Sequence, residues 1–118
     1  MSAGRSPITT HVLDTSLGRP AAGVVVALFL AGPDGGFQEI GSGATDADGR
    51  LASLLPASSP AAPGRYRLDF AVGDYFERQE RATLYPVVSI VFDLTDAGSH
   101  YHIPLLLSPF GYSTYRGS

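Results

Sequence analysis

Gly23-Val-Val-Val-Ala-Leu-Phe-Leu30 is the stretch that most clearly indicates the fold. A second stretch of the same character is Pro86-Val-Val-Ser-Ile-Val-Phe-Asp-Leu94. Both are rich in the β-branched and aromatic residues that favour strands, and both are bounded by Gly, Pro or Asp. Because they are also too short for ordinary core helices, they predict β-strands.

Turn-forming residues separate the predicted strands. Gly and Asp, which tolerate the positive φ of tight turns, cluster in Pro33-Asp-Gly-Gly36, Thr45-Asp-Ala-Asp-Gly49 and Asp96-Ala-Gly98. The predicted strands recur about every 8 to 12 residues, and helical segments do not alternate with them. This spacing predicts an antiparallel all-β sandwich rather than a parallel α/β sheet.

A single short helix is predicted from Asp74 to Arg81. It has an acidic residue at its start and Arg78 near its end, and Tyr85-Pro86 follows as a stop signal. The segment from Ala57 to Pro63 lacks any periodicity and contains two prolines. We expect it to be a surface loop between strands.

Composition restricts the possible functions. The chain has 118 residues, and we expect residues 1 to 118 to form one domain. It contains no cysteine, which excludes thiol nucleophiles, thiolate zinc sites and disulfides. A net charge of -3 from 8 basic and 11 acidic residues offers no basic stripe, so we expect no nucleic-acid partner. Residues 1 to 7 lack an apolar signal segment, and no later run approaches the roughly 20 apolar residues of a membrane span. We therefore expect a cytoplasmic protein without a membrane partner.

Three histidines, His11, His100 and His102, are the natural candidates for acid–base chemistry near neutral pH. His100 and His102 are two positions apart and would share one face of a strand. Each could equally be an ordinary strand histidine. A third possibility is a zinc site formed by His100 and His102 with His11 as a further ligand, although no carboxylate or cysteine stands at a typical ligand spacing nearby.

Arg50 follows the turn Asp46-Ala-Asp-Gly49, from which a loop can project a guanidinium toward a planar anion. The alternative is a solvated arginine. A Gly-x-Ser-x-Gly elbow, a Gly-x-Gly-x-x-Gly loop and a Walker motif are all missing from the sequence, which argues against serine hydrolase and nucleotide-binding functions. The segment Gly111 to Ser118 could be a frayed tail, but its two tyrosines, three positions apart, together with its polar residues favour a strand with two occupied faces.

The string His100-Tyr-His-Ile-Pro-Leu-Leu-Leu-Ser-Pro-Phe-Gly-Tyr-Ser-Thr-Tyr-Arg-Gly-Ser118 resembles the C-terminal signature of the 5-hydroxyisourate hydrolases. The segment Ile8 to Ala22 resembles their opening strand, and Thr45 to Arg50 resembles their arginine-bearing turn. The resemblance spans nearly the whole chain. The Pro- and Ala-rich loop from Ala57 to Pro63 is where this sequence departs from the family.

The resemblance implies a transthyretin-like (prealbumin-like) β-sandwich of two four-stranded sheets with one short helix. It also implies a homotetramer, a dimer of dimers with active sites at the dimer–dimer interface. The implied activity is the metal-independent hydrolysis of 5-hydroxyisourate to 2-oxo-4-hydroxy-4-carboxy-5-ureidoimidazoline in urate catabolism, with no cofactor. The residues that would carry it are catalytic His11, Arg50, His102 and Ser118, and substrate-binding His11, Arg50, Tyr115, Arg116 and Gly117.

The chemistry of these residue types suggests a hypothetical role for each of them. His102 is nominated to take the proton from water, and Arg50 to hold the anionic substrate and stabilise developing negative charge. His11 would orient the substrate or shuttle the proton, Ser118 would fix the tautomer of a catalytic histidine, and Tyr115 would close on the ring. Which histidine is the base stays open at this point. The main non-enzymatic alternative is a transthyretin-like carrier of an aromatic ligand, a family that lacks the Tyr-Arg-Gly-Ser ending.

Overall fold

Two β-sheets and one short helix make up the part of the chain that the structure, a computed structural model, describes, namely residues 6–57 and 60–118. The strands and the helix are, in chain order, β1 Ile8–Asp14, β2 Arg19–Pro20, β3 Val25–Ala31, β4 Phe37–Ala44, β5 Arg50–Leu51, β6 Gly64–Phe70, α1 Val72–Glu77, β7 Val88–Leu94, β8 Tyr101–Ser108 and β9 Gly111–Thr114.

The first sheet has the strand order β2-β1-β8-β9, with β5 also paired to β1, and the second has the order β4-β3-β6-β7. The predicted sandwich with one short helix is confirmed. The first sheet has five strands instead of four because two strands of two residues each, β2 and β5, lie along different parts of β1. All pairings are antiparallel except that of β1 with β8.

The core lies between the two sheets and follows the alternation of each strand. On β1, Ile8 and Val12 are fully buried, and the buried residues of β8 include Ile103, Leu105 and Leu107. Successive strand residues point to opposite faces, so Thr9 and His11 lie on the outer face of the first sheet. This alternation decides which side chains of β1 and β8 are available for chemistry.

The helix is displaced from its predicted position. It runs from Val72 to Glu77 instead of from Asp74 to Arg81, because its start is fixed by burial of apolar residues and not by the acidic residue. Its end is fixed by Glu80, which adopts a left-handed φ of 55°. The N–H of Glu80 donates to the Glu77 carbonyl at 2.9 Å and the N–H of Arg81 donates to the Phe76 carbonyl at 3.0 Å. These two bonds form a Schellman motif, which terminates the helix well before Tyr85-Pro86.

Arg81 lies beyond the end of the helix, and its side chain pairs with Asp14 at the end of β1. The Asp14 carboxylate is fully buried and accepts hydrogen bonds from Arg81 Nη1 at 2.9 Å, Tyr75 Oη at 2.8 Å and Ser16 Oγ at 2.5 Å. Burial opposes its ionisation, but the hydrogen bonds outweigh burial and hold the pKa of Asp14 at about 2. The network fastens the helix to the first sheet.

The described part of the expected loop, Ala57 and residues 60–63, contains no helix or strand, while Ser58 and Ser59 lie outside the described residues. Although the segment is a loop as predicted, Ala61 is buried in the core and the Ala62 carbonyl accepts the Tyr66 hydroxyl at 2.6 Å. Across the described ranges, no helix is long and apolar enough to cross a membrane.

Candidate active site

The outer face of the first sheet brings together three residues that are far apart in sequence. His11 on β1 is the register partner of Arg50 on β5, and Thr9 on β1 is the register partner of His102 on β8. Register partners present their side chains on the same face of a sheet. His11, Arg50 and His102 therefore occupy one face, as a shared catalytic role requires.

Thr9 lies between two of the histidines. Its Oγ1 is 2.9 Å from Nε2 of His100 and 2.8 Å from Nδ1 of His102. The two imidazole rings stand nearly parallel, with centroids 6.5 Å apart, and Thr9 is only 4% exposed. Sequence reasoning missed Thr9. Its position two residues before His11 on the same strand face was the signal that could have identified it.

His11 is held by the turn that precedes Arg50. Its Nε2 is 2.8 Å from the backbone carbonyl of Asp48. A carbonyl can only accept a hydrogen bond, so Nε2 carries the hydrogen, and in the neutral ring Nδ1 is the nitrogen with the lone pair. The contact fixes both the orientation and the tautomer of His11.

The turn itself is built to hold Arg50 in place. The Asp46 carboxylate accepts the backbone N–H groups of Asp48 and Arg50, each at 2.9 Å. Gly49 has a φ of 76°, and a Cβ at this position would lie 2.3 Å from the Val12 carbonyl oxygen. Only glycine therefore permits this turn to approach β1 so closely.

A small cavity of about 140 Å³ opens among these residues, and it is lined by Thr9, Thr10, Arg50, Leu51, Ala52 and His102. A larger depression of about 780 Å³ at the Phe37 end of the second sheet contains no histidine. Its charged groups, Arg65 and Asp93, form an exposed ion pair with N and O 2.7 Å apart. Of these two, the smaller cavity is the candidate site, because it combines an imidazole with a cation.

The C-terminal segment crosses His102. The N–H of Gly117 donates to the His102 carbonyl at 2.8 Å, and a Cβ at Gly117 would lie 2.6 Å from His102 Cδ2 and 3.4 Å from Pro104 Cγ. Only a residue without a side chain can lie so close to this imidazole. Instead of one strand through to Ser118, β9 ends at Thr114 and the chain returns to His102 through this isolated bridge.

The other predicted C-terminal residues lie around that crossing. Tyr115 is 57% exposed, and Ser118 is exposed and directly follows Gly117. Arg116 packs on Tyr101, with its Cζ 4.1 Å from the ring centroid, and its Nη2 is 3.4 Å from the His100 carbonyl oxygen. Its charge therefore lies beside His100, at the start of β8.

The geometry does not match the zinc hypothesis. Within residues 6–57 and 60–118, no group of three or more His, Cys, Asp or Glu side chains is arranged to hold a metal ion. The facing nitrogens of His100 and His102 both contact the Thr9 hydroxyl. His11, the expected third ligand, contacts the Asp48 carbonyl.

These features define a transthyretin-like sandwich that carries histidines and an arginine on the outer face of one sheet. The solved structure of Sparus aurata transthyretin matches it with a TM-score of 0.87 at 35% identity, covering 96% of this chain and 97% of that one. Residues 8–117 match the model of the HIUase/Transthyretin family, and the chain belongs to that family.

Enzymes of the family are also similar to this chain in sequence and in structure. The 5-hydroxyisourate hydrolase of Salmonella typhimurium is 44% identical over 118 residues, which cover 100% of this chain and 85% of the relative. The structure of Klebsiella pneumoniae 5-hydroxyisourate hydrolase matches with a TM-score of 0.82 at 38% identity, covering 94% of this chain and 98% of that one. The slightly higher TM-score of transthyretin does not decide function, because the two groups share one fold.

Proposed function

We propose that this protein hydrolyses 5-hydroxyisourate in urate degradation. The observation that carries the proposal is the convergence of His11, Arg50 and His102 on one face of the first sheet. The reaction adds water to a ring carbonyl of the substrate and breaks the adjacent C–N bond. It yields 2-oxo-4-hydroxy-4-carboxy-5-ureidoimidazoline.

His102 acts as the general base in this proposal. Its Nδ1 contacts Thr9 and its ring packs against Gly117, so its orientation is set on two sides. Nε2 takes a proton from water as the water oxygen bonds to the carbonyl carbon, and the proton is then delivered to the departing ring nitrogen. Acid–base assistance of this kind contributes about 10²–10⁴-fold to a rate.

Arg50 supplies the positive charge. It lines the same cavity as His102, and a guanidinium offers a planar fork of N–H donors to a planar anion. It binds the anionic substrate and stabilises the negative charge that develops on the attacked oxygen. His11, whose Nε2–H is held by Asp48, orients the substrate through its opposite nitrogen or passes on the proton.

We propose that the C-terminal residues supply a further wall of the site. Gly117 lies against the His102 ring, which places Tyr115 and Ser118 at either end of a short crossing segment. In this proposal Tyr115 closes on the substrate ring, and Arg116 and Ser118 complete the pocket. No metal or other cofactor takes part, so the activity is expected to survive incubation with a chelator such as EDTA, and its loss on chelation would contradict metal independence.

We further propose that the chain works as a dimer of dimers. Beyond the polar residues on the outer face, Leu13 and Leu106 are register partners and are half-buried in the single chain. Among the described residues, β7 and β9 each lie at one edge of their sheet, and an edge strand suits backbone pairing with a second copy. Light scattering is expected to report four chains of 12.4 kDa each, and a monomer would contradict this proposal. The cytoplasmic location stays a prediction that cell fractionation would test.

The activity is tested by following the ultraviolet decay of freshly generated 5-hydroxyisourate with and without the protein. Decay no faster than the spontaneous rate would contradict the proposed hydrolase activity. A carrier of aromatic ligands would bind the substrate without speeding its decay.

An arginine pair sharpens this test. Arg50→Gln is expected to lower kcat/KM by about 10²–10³-fold, because it removes the donor group that stabilises the oxyanion. Arg65→Gln makes the same chemical change in the exposed ion pair of the second sheet and is expected to leave kcat/KM unchanged. Equal rates for the two variants would remove Arg50 from the mechanism.

A glycine pair tests the placement of the His102 ring. Gly117→Ala introduces a Cβ 2.6 Å from His102 Cδ2, whereas the Cβ of Gly111→Ala would meet Ser108 Oγ at an ordinary 3.6 Å. Displacing a catalytic group by about 1 Å can lower a rate about 10²-fold. We expect a fall of that order in kcat for Gly117→Ala and little change for Gly111→Ala. Full activity of Gly117→Ala would show that the ring tolerates displacement.

A further inference from the structure

The Thr9 hydroxyl bridges His100 and His102, and this arrangement has a consequence for the proton on each ring. The hydroxyl contacts Nε2 of His100 at 2.9 Å and Nδ1 of His102 at 2.8 Å. Thr9 as a residue is only 4% exposed, so bulk water has little access to it. A hydroxyl has a single hydrogen and can donate it to only one of the two nitrogens.

The direction of that one donation determines which nitrogen of His102 holds the lone pair. If Thr9 donates to Nδ1 of His102, the hydrogen of the neutral ring lies on Nε2, and Nε2 cannot accept a proton from water. If Thr9 instead donates to Nε2 of His100, Nδ1 of His102 carries the hydrogen and donates it to Thr9. Nε2 of His102 then has the lone pair that a general base needs.

The charge around the cavity favours the second direction. Arg50 lines the cavity together with Thr9 and His102, and a positive charge in the cavity favours a lone pair over an N–H dipole on an imidazole nitrogen directed into it. A second positive charge, that of Arg116, lies next to the His100 carbonyl oxygen.

We propose that Thr9 is a positioning residue that holds His102 in its Nδ1–H tautomer by accepting from Nδ1 and donating to Nε2 of His100. This inference rests on the proposed function, since it concerns the nitrogen that activates water. It gives Thr9 the tautomer-fixing task that the resemblance had suggested for Ser118. It also gives His100 a part in catalysis as the acceptor at the far end of the chain of hydrogen bonds.

The tautomer is measured directly by long-range ¹H–¹⁵N correlation spectra of the uniformly ¹⁵N-labelled protein without substrate. At a pH of about 8.5, where histidine is ordinarily neutral, wild-type His102 is expected to show a protonated Nδ1 and an unprotonated Nε2. Thr9→Val keeps the shape of the side chain and removes the hydroxyl, so His102 should lose this fixed tautomer. Thr9→Ser keeps the hydroxyl and should retain it.

The kinetic expectation follows the same pair of variants. Thr9→Val should lower kcat by about 10–100-fold with KM within about threefold of wild type, because ground-state substrate contacts are retained. Thr9→Ser should restore most of kcat, and both variants should keep a Tm close to that of the wild type. A serine variant as impaired as the valine variant would overturn the proposal, because packing and not the hydroxyl would then matter.

Two further outcomes separate this inference from the proposed function. A wild-type spectrum with the hydrogen of His102 on Nε2 would overturn the role of Thr9 even if the protein is an active hydrolase. A wild-type protein that fails to accelerate 5-hydroxyisourate decay would overturn the hydrolase assignment, and with it the catalytic meaning of the tautomer. The spectra are independent of that failure because they are recorded without substrate.

Discussion

His102→Gln will lower kcat/KM for 5-hydroxyisourate hydrolysis by about 10²–10⁴-fold, the range that a positioned general base contributes. Glutamine preserves a polar side chain of similar reach, but its amide cannot take a proton from water near neutral pH. The loss should appear in kcat more than in KM, because proton transfer belongs to the transition state and not to substrate binding. Initial rates over a range of substrate concentrations measure both parameters.

His100→Gln is the matched control for this substitution. His100 lies immediately before β8 and contacts the same Thr9 hydroxyl, but it lies outside the lining of the proposed reaction cavity. We expect its loss of kcat/KM to be at least about tenfold smaller than that of His102→Gln. If the two variants lost activity equally, His102 could not be singled out as the base.

Asp14→Ala will destabilise the folded protein by about 3–5 kcal/mol, which is typical of breaking one side of a buried ion pair. Asp14 is fully buried, and its partner Arg81 is 22% exposed at the side chain. Removal of the Asp14 carboxylate leaves the Arg81 guanidinium and the Tyr75 hydroxyl without their acceptor at the junction of helix and sheet. Single domains are stable by only about 5–15 kcal/mol in total. The effect is therefore expected to be visible as a large fall in the urea midpoint.

The control is the other aspartate–arginine pair. Asp93 and Arg65 have N and O 2.7 Å apart, but their side chains are 54% and 60% exposed. Solvent screens such a pair, so Asp93→Ala should leave the urea midpoint nearly unchanged. Both variants should be measured at one protein concentration, since the proposed assembly would make apparent stability depend on concentration. Equal shifts would mean that burial does not govern the contribution of Asp14.

The Asp14 carboxylate also makes the free energy of unfolding depend on pH. The pKa of Asp14 is lowered from 3.8 to about 2 in the folded protein, so the unfolded chain binds its proton first as the pH falls. The resulting stabilisation, about 2 kcal/mol, is fully present above about pH 4 and is lost progressively toward about pH 2. Asp14→Asn removes this contribution. The difference in the free energy of unfolding between wild type and variant should therefore decrease as the pH falls through that range.

Local sequence patterns determined most of the fold. Strand propensity and turn residues sufficed for the strands around Val25–Ala31 and Val88–Leu94, because alternation and turn chemistry act between near neighbours. The helix was located but misplaced, since its start depends on burial against the sheets and its end on a left-handed glutamate. Such a conformation is not indicated by residue type, because glycine is the usual residue there.

The sequence by itself also determined which residue types could carry the proposed chemistry, since there are only three histidines and the string from His100 to Ser118 is distinctive. Only the tertiary structure decided which of them meet. Thr9 and His102 are 93 positions apart and become neighbours through the parallel register of β1 and β8. Register is set by the packing of the whole sandwich, and a shift of one residue would turn every side chain to the other face. For that reason the hydroxyl bridge between the histidines and the contact of Gly117 with His102 are properties of the fold and not of any local stretch.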